Sequence, residues 1–129
     1  MQSKTLRKYK VMLPLLLIAA SCYRQERSCG DFKTGTFEFS ALIDGERKTT
    51  TFYRNDTLEI DYFEGKADTS SVKWINDCEY IVKKLHPQNR SEQKAVHMKI
   101  LTTTTTGYTF EYGMVGSHNK QRGTVKKIP

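Results

Sequence analysis

The chain has 129 residues, enough for one small domain, and a formal net charge of +7. Four of its 21 basic residues (Lys4, Arg7, Lys8 and Lys10) lie in the first 21 positions, where none of its 14 acidic residues lies. The remaining residues therefore carry 17 basic against 14 acidic side chains. This small surplus excludes the strongly basic surface that is typical of nucleic-acid-binding proteins.

The N-terminus predicts a bacterial lipoprotein signal peptide over residues 1–21. The basic start is followed by an apolar segment, residues 11–18, which is too short for a membrane-spanning helix. Ala19, Ala20 and Ser21 then precede Cys22, and small residues before a cysteine match the lipobox. In lipoproteins that cysteine is diacylated on its thiol, the chain is cut before it, and the freed amine is acylated. We therefore expect Cys22 to carry the acyl chains, palmitate among them, that hold the protein on the membrane.

The residues after Cys22 predict the location and the domain organisation. Tyr23 stands where aspartate would retain a lipoprotein at the inner membrane, so we expect attachment to the outer membrane. Residues 23–27 lack the acidic cluster that sends some lipoproteins to the cell surface, which favours the periplasmic face. Residues 22–28 would form a lipidated tether and residues 29–129 a single domain.

Cys29 and Cys78 are the only other cysteines. An exported domain folds in an oxidising compartment, so two cysteines predict a disulfide, with two buried free thiols as the alternative. No Cys-x-x-Cys motif occurs, so nothing supports a role in thiol–disulfide exchange.

Alternating apolar and polar residues predict about eight short strands, around residues 37–41, 49–53, 58–62, 72–74, 80–82, 96–100, 108–114 and 123–128. Asp44-Gly45 is a strong hairpin signal, because both residues tolerate a positive φ. Turn signals every 8–12 residues indicate an all-β fold. We predict a small antiparallel up-and-down barrel of lipocalin-like type, with a curled open sheet as the alternative.

The same alternation predicts which side chains face inward. In β-strand register, Leu58 and Ile60 would point to the core and would leave Glu59 and Asp61 on a charged outer face. The length of the chain favours a barrel that is filled by side chains. The predicted inward set is Phe37, Phe39, Leu58, Ile60, Val72, Trp74, Tyr80, Val82, Val96, Met98, Ile100, Tyr108, Phe110 and Tyr112.

Several segments resemble short lipoproteins of Bacteroidota-type bacteria: Ser21-Cys22, residues 29–37, residues 72–80 and residues 108–110. The resemblance implies an envelope location and no particular activity. Gly35-Thr36-Phe37 also resembles the Gly-x-Trp start of lipocalins, with phenylalanine in place of tryptophan. That resemblance implies an arginine on the last strand, here Arg122, that covers one end of the barrel.

Some chains of this kind carry the name DNA topoisomerase IV, and the residues oppose it. The catalytic tyrosine of type II topoisomerases follows an arginine, and this sequence contains no Arg-Tyr pair. The chain is also too short for a DNA gate, and its N-terminus predicts an export signal. We therefore expect no nucleic-acid partner.

No motif predicts a catalytic centre, a metal site or a cofactor. His86, His97 and His118 share no ligand spacing, and the Asp-x-Asp-x-Asp-Gly calcium loop is missing. Glu59 and Asp61 are compatible with an acid/base pair, but a solvated outer face explains them more simply. Phosphate-binding loops and nucleophile elbows are absent from the sequence. We expect a protein that is not an enzyme.

Five aromatic residues form the candidate ligand pocket: Trp74, Tyr80, Tyr108, Phe110 and Tyr112. Around a cavity they would supply an apolar surface with hydroxyl groups, which suits a small hydrophobic ligand. In a filled barrel they would be core residues. The alternative function is a protein-interaction module that supports an outer-membrane or periplasmic assembly through its outer faces or its rim.

Overall fold

The computed structural model describes residues 26–129. The predicted signal peptide, the lipidation site Cys22 and the first residues of the tether lie outside the described residues. Within 26–129, no helix is long and apolar enough to cross a membrane. The elements are a 3-10 helix, Cys29–Phe32, and the strands β1 Gly35–Ile43, β2 Glu46–Arg54, β3 Leu58–Phe63, β4 Lys66–Trp74, β5 Glu79–Lys84, β6 Val96–Thr103, β7 Gly107–Met114 and β8 Gln121–Ile128.

The eight strands form a closed antiparallel barrel. Each strand pairs with the next one along the chain, and β8 pairs back with β1. Closure leaves no strand edge unpaired, which removes the exposed edges that favour aggregation. The predicted up-and-down barrel is confirmed, and the open sheet is not formed.

Local turn chemistry sets the register of the strands. Asp44 and Gly45 both have positive φ, 51° and 78°, as the predicted hairpin requires. Glu64 and Gly65 form a second turn of the same kind, with φ of 47° and 76°, so β4 begins at Lys66, well before the predicted strand around residues 72–74. Asn55 starts β3, because its Oδ1 accepts hydrogen bonds from the amides of Thr57 and Leu58.

One end of the barrel is closed by the N-terminal segment, residues 29–33, which we call the plug. The 3-10 helix lies there with the turns that follow β2, β4 and β6, and Phe32 is buried in the barrel core. A disulfide between Cys29 and Cys78 ties this helix to the turn between β4 and β5, so the predicted pairing is confirmed. The turns after β1, β3, β5 and β7 surround the opposite, open end.

The predicted orientation of β3 is wrong. Glu59 is buried and Asp61 lines the barrel interior, whereas Leu58 and Ile60 lie on the outer face. The inversion has a physical reason: Arg54 is the register partner of Glu59 on β2, and its guanidinium neutralises the buried carboxylate. Period-two alternation alone does not show which of the two faces of a strand points inward. In β3, the buried Arg54 on the neighbouring strand favours the face that carries Glu59.

Candidate functional site

A cavity of about 880 Å³ opens at the unplugged end of the barrel. This volume lies in the range of small-molecule sites. The sequence-based expectation of a filled barrel is therefore correct only for the closed half, where the plug and the core aromatics meet. The lining residues come from all eight strands and from the segment between β5 and β6.

One side of the cavity is apolar. Phe39 of β1 packs edge-to-face on Phe110 of β7, with ring centroids 5.7 Å apart, and Phe110 stacks on Tyr112 at 5.5 Å. Gly123 of β8 makes room for this packing, because a Cβ there would lie 2.8 Å from ring atoms of both Phe39 and Phe110. Val125 continues the surface on β8.

The other side of the cavity is charged. Asp61 on β3 and Asp68 on β4 are register partners and both line the interior. Lys84 of β5 lies with its Nζ 2.8 Å from Asp68 Oδ2 and 2.8 Å from Glu92 Oε1, so one lysine serves two carboxylates. Asp61 has no ion pair of this kind with any residue in 26–129.

Asp61 is the least compensated carboxyl group of this side. Its pKa is raised to about 7, chiefly by burial and further by the neighbouring charges of Glu59 and Asp68, against the weaker opposite effect of Lys84 and Arg54. The side chain is therefore partly ionised near neutral pH.

The floor of the cavity is built on the buried guanidinium of Arg54, which is 0% exposed. Its Nη1 donates to Glu59 Oε2 at 3.0 Å and to the Tyr80 hydroxyl at 2.8 Å. Its Nη2 donates to the Tyr108 hydroxyl at 3.3 Å. Burial raises the pKa of the Glu59 carboxyl, and the adjacent guanidinium acts in the opposite direction.

The same guanidinium fastens the plug to the barrel. Its Nε donates to the carbonyl oxygen of Lys33 at 3.2 Å, and Nη2 donates to that of Phe32. Its Cζ lies 4.7 Å from the centre of the Phe37 ring and 4.8 Å from that of Tyr80. Arg54 therefore connects the N-terminal segment, the core aromatics and the cavity floor.

Four of the five predicted pocket residues line the cavity: Tyr80, Tyr108, Phe110 and Tyr112. Trp74 does not, because it lies at the closed end, against Tyr80 and beneath the ammonium group of Lys33. The hydroxyls of Tyr80 and Tyr108 are engaged by Arg54, whereas the Tyr112 hydroxyl donates to Gln121 near the open end.

Arg122 does not cover a barrel end. It is an exposed residue whose Nε lies 3.3 Å from Glu111 Oε2. Arg54 lies beneath the cavity floor instead, and it was not among the predicted site residues. A signal was present: Thr50, Phe52 and Arg54 alternate, so Arg54 shares the inward face of Phe52.

The carboxylates of the cavity do not form a metal site. Within the described part of the chain, no three side chains of histidine, cysteine, aspartate or glutamate lie close enough together to hold a metal ion. Glu59 is held by Arg54, and Asp68 is held by Lys84.

The chain matches no protein-family model, no curated protein and no solved structure.

Proposed function

We propose that this protein is a non-enzymatic lipoprotein, anchored through Cys22 to the periplasmic face of the outer membrane, that binds a small hydrophobic ligand in its barrel. The observation that carries the proposal is the 880 Å³ cavity with an apolar side built from Phe39, Phe110, Tyr112 and Val125. A cavity lined by aromatic rings and reached from one end suits a ligand that is poorly soluble in water.

The position of the tether is compatible with this role. Arg27 donates from Nη1 to the carbonyl oxygen of Ile100 at 2.7 Å, and the amide of Ser28 donates to Thr103 Oγ1 at 2.9 Å, both near the closed end. The five residues from Cys22 to Glu26 are joined by four Cα–Cα steps, which can span at most about 14 Å. An anchor at Cys22 would keep the closed end near the membrane and turn the cavity mouth away from it.

Ligand binding is tested by blocking the cavity from within. Thr50 faces the cavity on β2, and Thr51 faces outward one position later. We expect N-phenyl-1-naphthylamine, a neutral dye that fluoresces in apolar sites, to bind the wild-type chain and the Thr51→Phe control. We expect Thr50→Phe to reduce that affinity about tenfold or more, because a buried ring would fill the space that the dye needs.

The experiment uses the chain from Tyr23, exported with a cleavable leader, because all eight strands and the disulfide lie within residues 29–129. Circular dichroism of both variants checks that the barrel is intact. Absence of dye binding to the wild type, or equal binding to both variants, would contradict the proposed cavity function.

The anchor is tested on the full chain. We expect radiolabelled palmitate to be incorporated into the protein during expression in a Gram-negative host, and Cys22→Ser to abolish that incorporation. Cys29→Ser combined with Cys78→Ser is the matched control, because the labelling should depend on Cys22 alone. Equal labelling of wild type and Cys22→Ser would disprove the lipidation.

A ring of exposed apolar side chains favours the second candidate, a protein-interaction module. Leu42, Ile43, Leu85, Met114 and Val115 all lie where odd-numbered strands end, around the open mouth, and Leu42 is 73% exposed. Such clusters commonly mark contact sites. The two candidates differ at Thr50→Phe, which blocks the cavity and leaves this ring unchanged: only a ligand-binding function requires the cavity to be open.

A further inference from the structure

The distribution of charge inside the cavity indicates which chemical class of ligand it can bind. β3 and β7 are separated by three strands in either direction around the closed barrel, so they face each other across the cavity. Asp61 on β3 therefore lies on the side opposite Phe110 on β7. A ligand that bridges the two sides meets a carboxylate on one and an aromatic surface on the other.

The charges that face the cavity do not balance. Arg54 compensates Glu59, whereas Lys84 alone lies between Asp68 and Glu92. Lys66 and His86 also line the mouth, but both are exposed to solvent. With Asp61 lacking an ion pair among the described residues, the inner cavity carries a surplus of negative charge.

We propose that the cavity selects an amphiphile with a protonated amine, and that Asp61 is the residue that receives the ammonium group while the apolar body lies against Phe39, Phe110 and Tyr112. This inference rests on the proposed ligand-binding function. The ammonium group would supply the missing counter-charge in a partly dehydrated site, where a charge-assisted hydrogen bond is stronger than in water. The neighbouring rings, Phe52 among them, favour a cation through their negative faces.

Two competing ligand classes fit the cavity less well. A fatty acid or a phosphate headgroup would bring a further negative charge beside Asp61, Asp68 and Glu59, and like charges in such a site repel. A divalent metal ion lacks a set of converging ligands in residues 26–129. An organic cation needs one carboxylate and an apolar surface, and both are present.

The test compares three probes that share one ring system and differ in charge: 1-naphthylmethylamine, 1-naphthalenemethanol and 1-naphthoate. Isothermal titration calorimetry at pH 8 measures their affinities for the chain from Tyr23. We expect the amine to bind about tenfold or more tightly than the alcohol, and the naphthoate to bind most weakly.

Substitution of Asp61 identifies the residue responsible. In Asp61→Asn we expect the affinity for the amine to fall about tenfold and that for the alcohol to change less than about twofold. Asp56→Asn, in the exposed turn between β2 and β3, is the matched control and should leave all three affinities unchanged.

The outcomes separate this inference from the proposed function. Equal binding of amine and alcohol to the wild type, or a preference for the amine that survives in Asp61→Asn, would overturn the inference while leaving a hydrophobic binding site in place. Failure of all three probes and of N-phenyl-1-naphthylamine to bind would overturn both.

Discussion

Replacement of Arg54 by methionine is expected to destabilise the barrel by about 3–5 kcal/mol, the cost of removing one partner from a buried ion pair. The substitution leaves the Glu59 carboxylate buried without a counter-charge. It also removes the donor that serves the carbonyl oxygens of Phe32 and Lys33 and so loosens the plug. Urea unfolding followed by the fluorescence of Trp74, the only tryptophan, measures the loss.

Two further variants separate the charge effect from the loss of packing. Arg47→Met, at an exposed position of the same strand, is the matched control and should change stability by less than about 0.5 kcal/mol. Arg54→Met combined with Glu59→Met should be at least about 1 kcal/mol more stable than Arg54→Met alone, because the double variant buries no uncompensated charge. A single variant as stable as wild type, or a double variant no better than the single, would contradict this account of the floor.

The number and order of the strands were predictable because local signals define them, although β4 begins six residues before the strand predicted around residues 72–74. Turns such as Asp44-Gly45 set where strands end, and alternation set the inward face of strands such as β7, where Tyr108, Phe110 and Tyr112 all point inward. Closure into a barrel followed from the number of strands and the short connections. These features depend on neighbours in sequence, so the sequence alone contains them.

The charged side of the cavity was not predictable in the same way. In β3, apolar and acidic residues alternate equally, and hydrophobicity alone predicted that Leu58 and Ile60 point inward. The actual choice depends on Arg54, which provides a counter-charge on the next strand only after β2 and β3 have paired in the observed register. When either face of a strand could point inward, the side chains of the neighbouring strand determine which one does.

The cavity itself also depends on a contact that the sequence does not display. The length of the chain favoured a barrel that is filled by side chains. In the structure, side chains fill the closed half and a cavity occupies the open half. Phe32 reaches into the closed half, where it packs edge-to-face on Tyr108 with ring centroids 5.4 Å apart. Among residues 26–129, no segment fills the open half in the same way, and on β3 and β4 Asp61 and Asp68 face inward there in place of large apolar side chains.

Asp61→Asn is expected to stabilise the barrel by about 2–4 kcal/mol at pH 8 and to have little effect at pH 4. The pKa of Asp61 is about 7 in the folded barrel, against about 3.9 in an unfolded chain. Between these values the unfolded chain releases a proton that the folded barrel retains, so wild-type stability falls as the pH rises from about 4 to about 7. Asparagine has no such proton, so the advantage of the variant grows over the same range.

Urea unfolding at intervals from pH 4 to pH 8 measures this difference, with Asp56→Asn as the control. The other acidic and basic groups that face the cavity are the same in both proteins, so their effects cancel in the comparison to first order; they are Glu59, Lys66, Asp68, Lys84, His86 and Glu92, with Arg54 beneath the floor. A difference in unfolding free energy that stays constant across the pH range would show that ionisation of Asp61 does not destabilise the folded barrel.

The stability and binding experiments on Asp61 connect the fold to the proposed ligand. A carboxylate that weakens the empty barrel at neutral pH is expected where a function requires the charge, because an asparagine at the same position would give a more stable fold. Saturation with 1-naphthylmethylamine should therefore stabilise the wild type at pH 8 by more than it stabilises Asp61→Asn and so narrow the gap between them. An equal gain in unfolding free energy in both proteins would show that the Asp61 carboxylate does not contribute to binding of the amine.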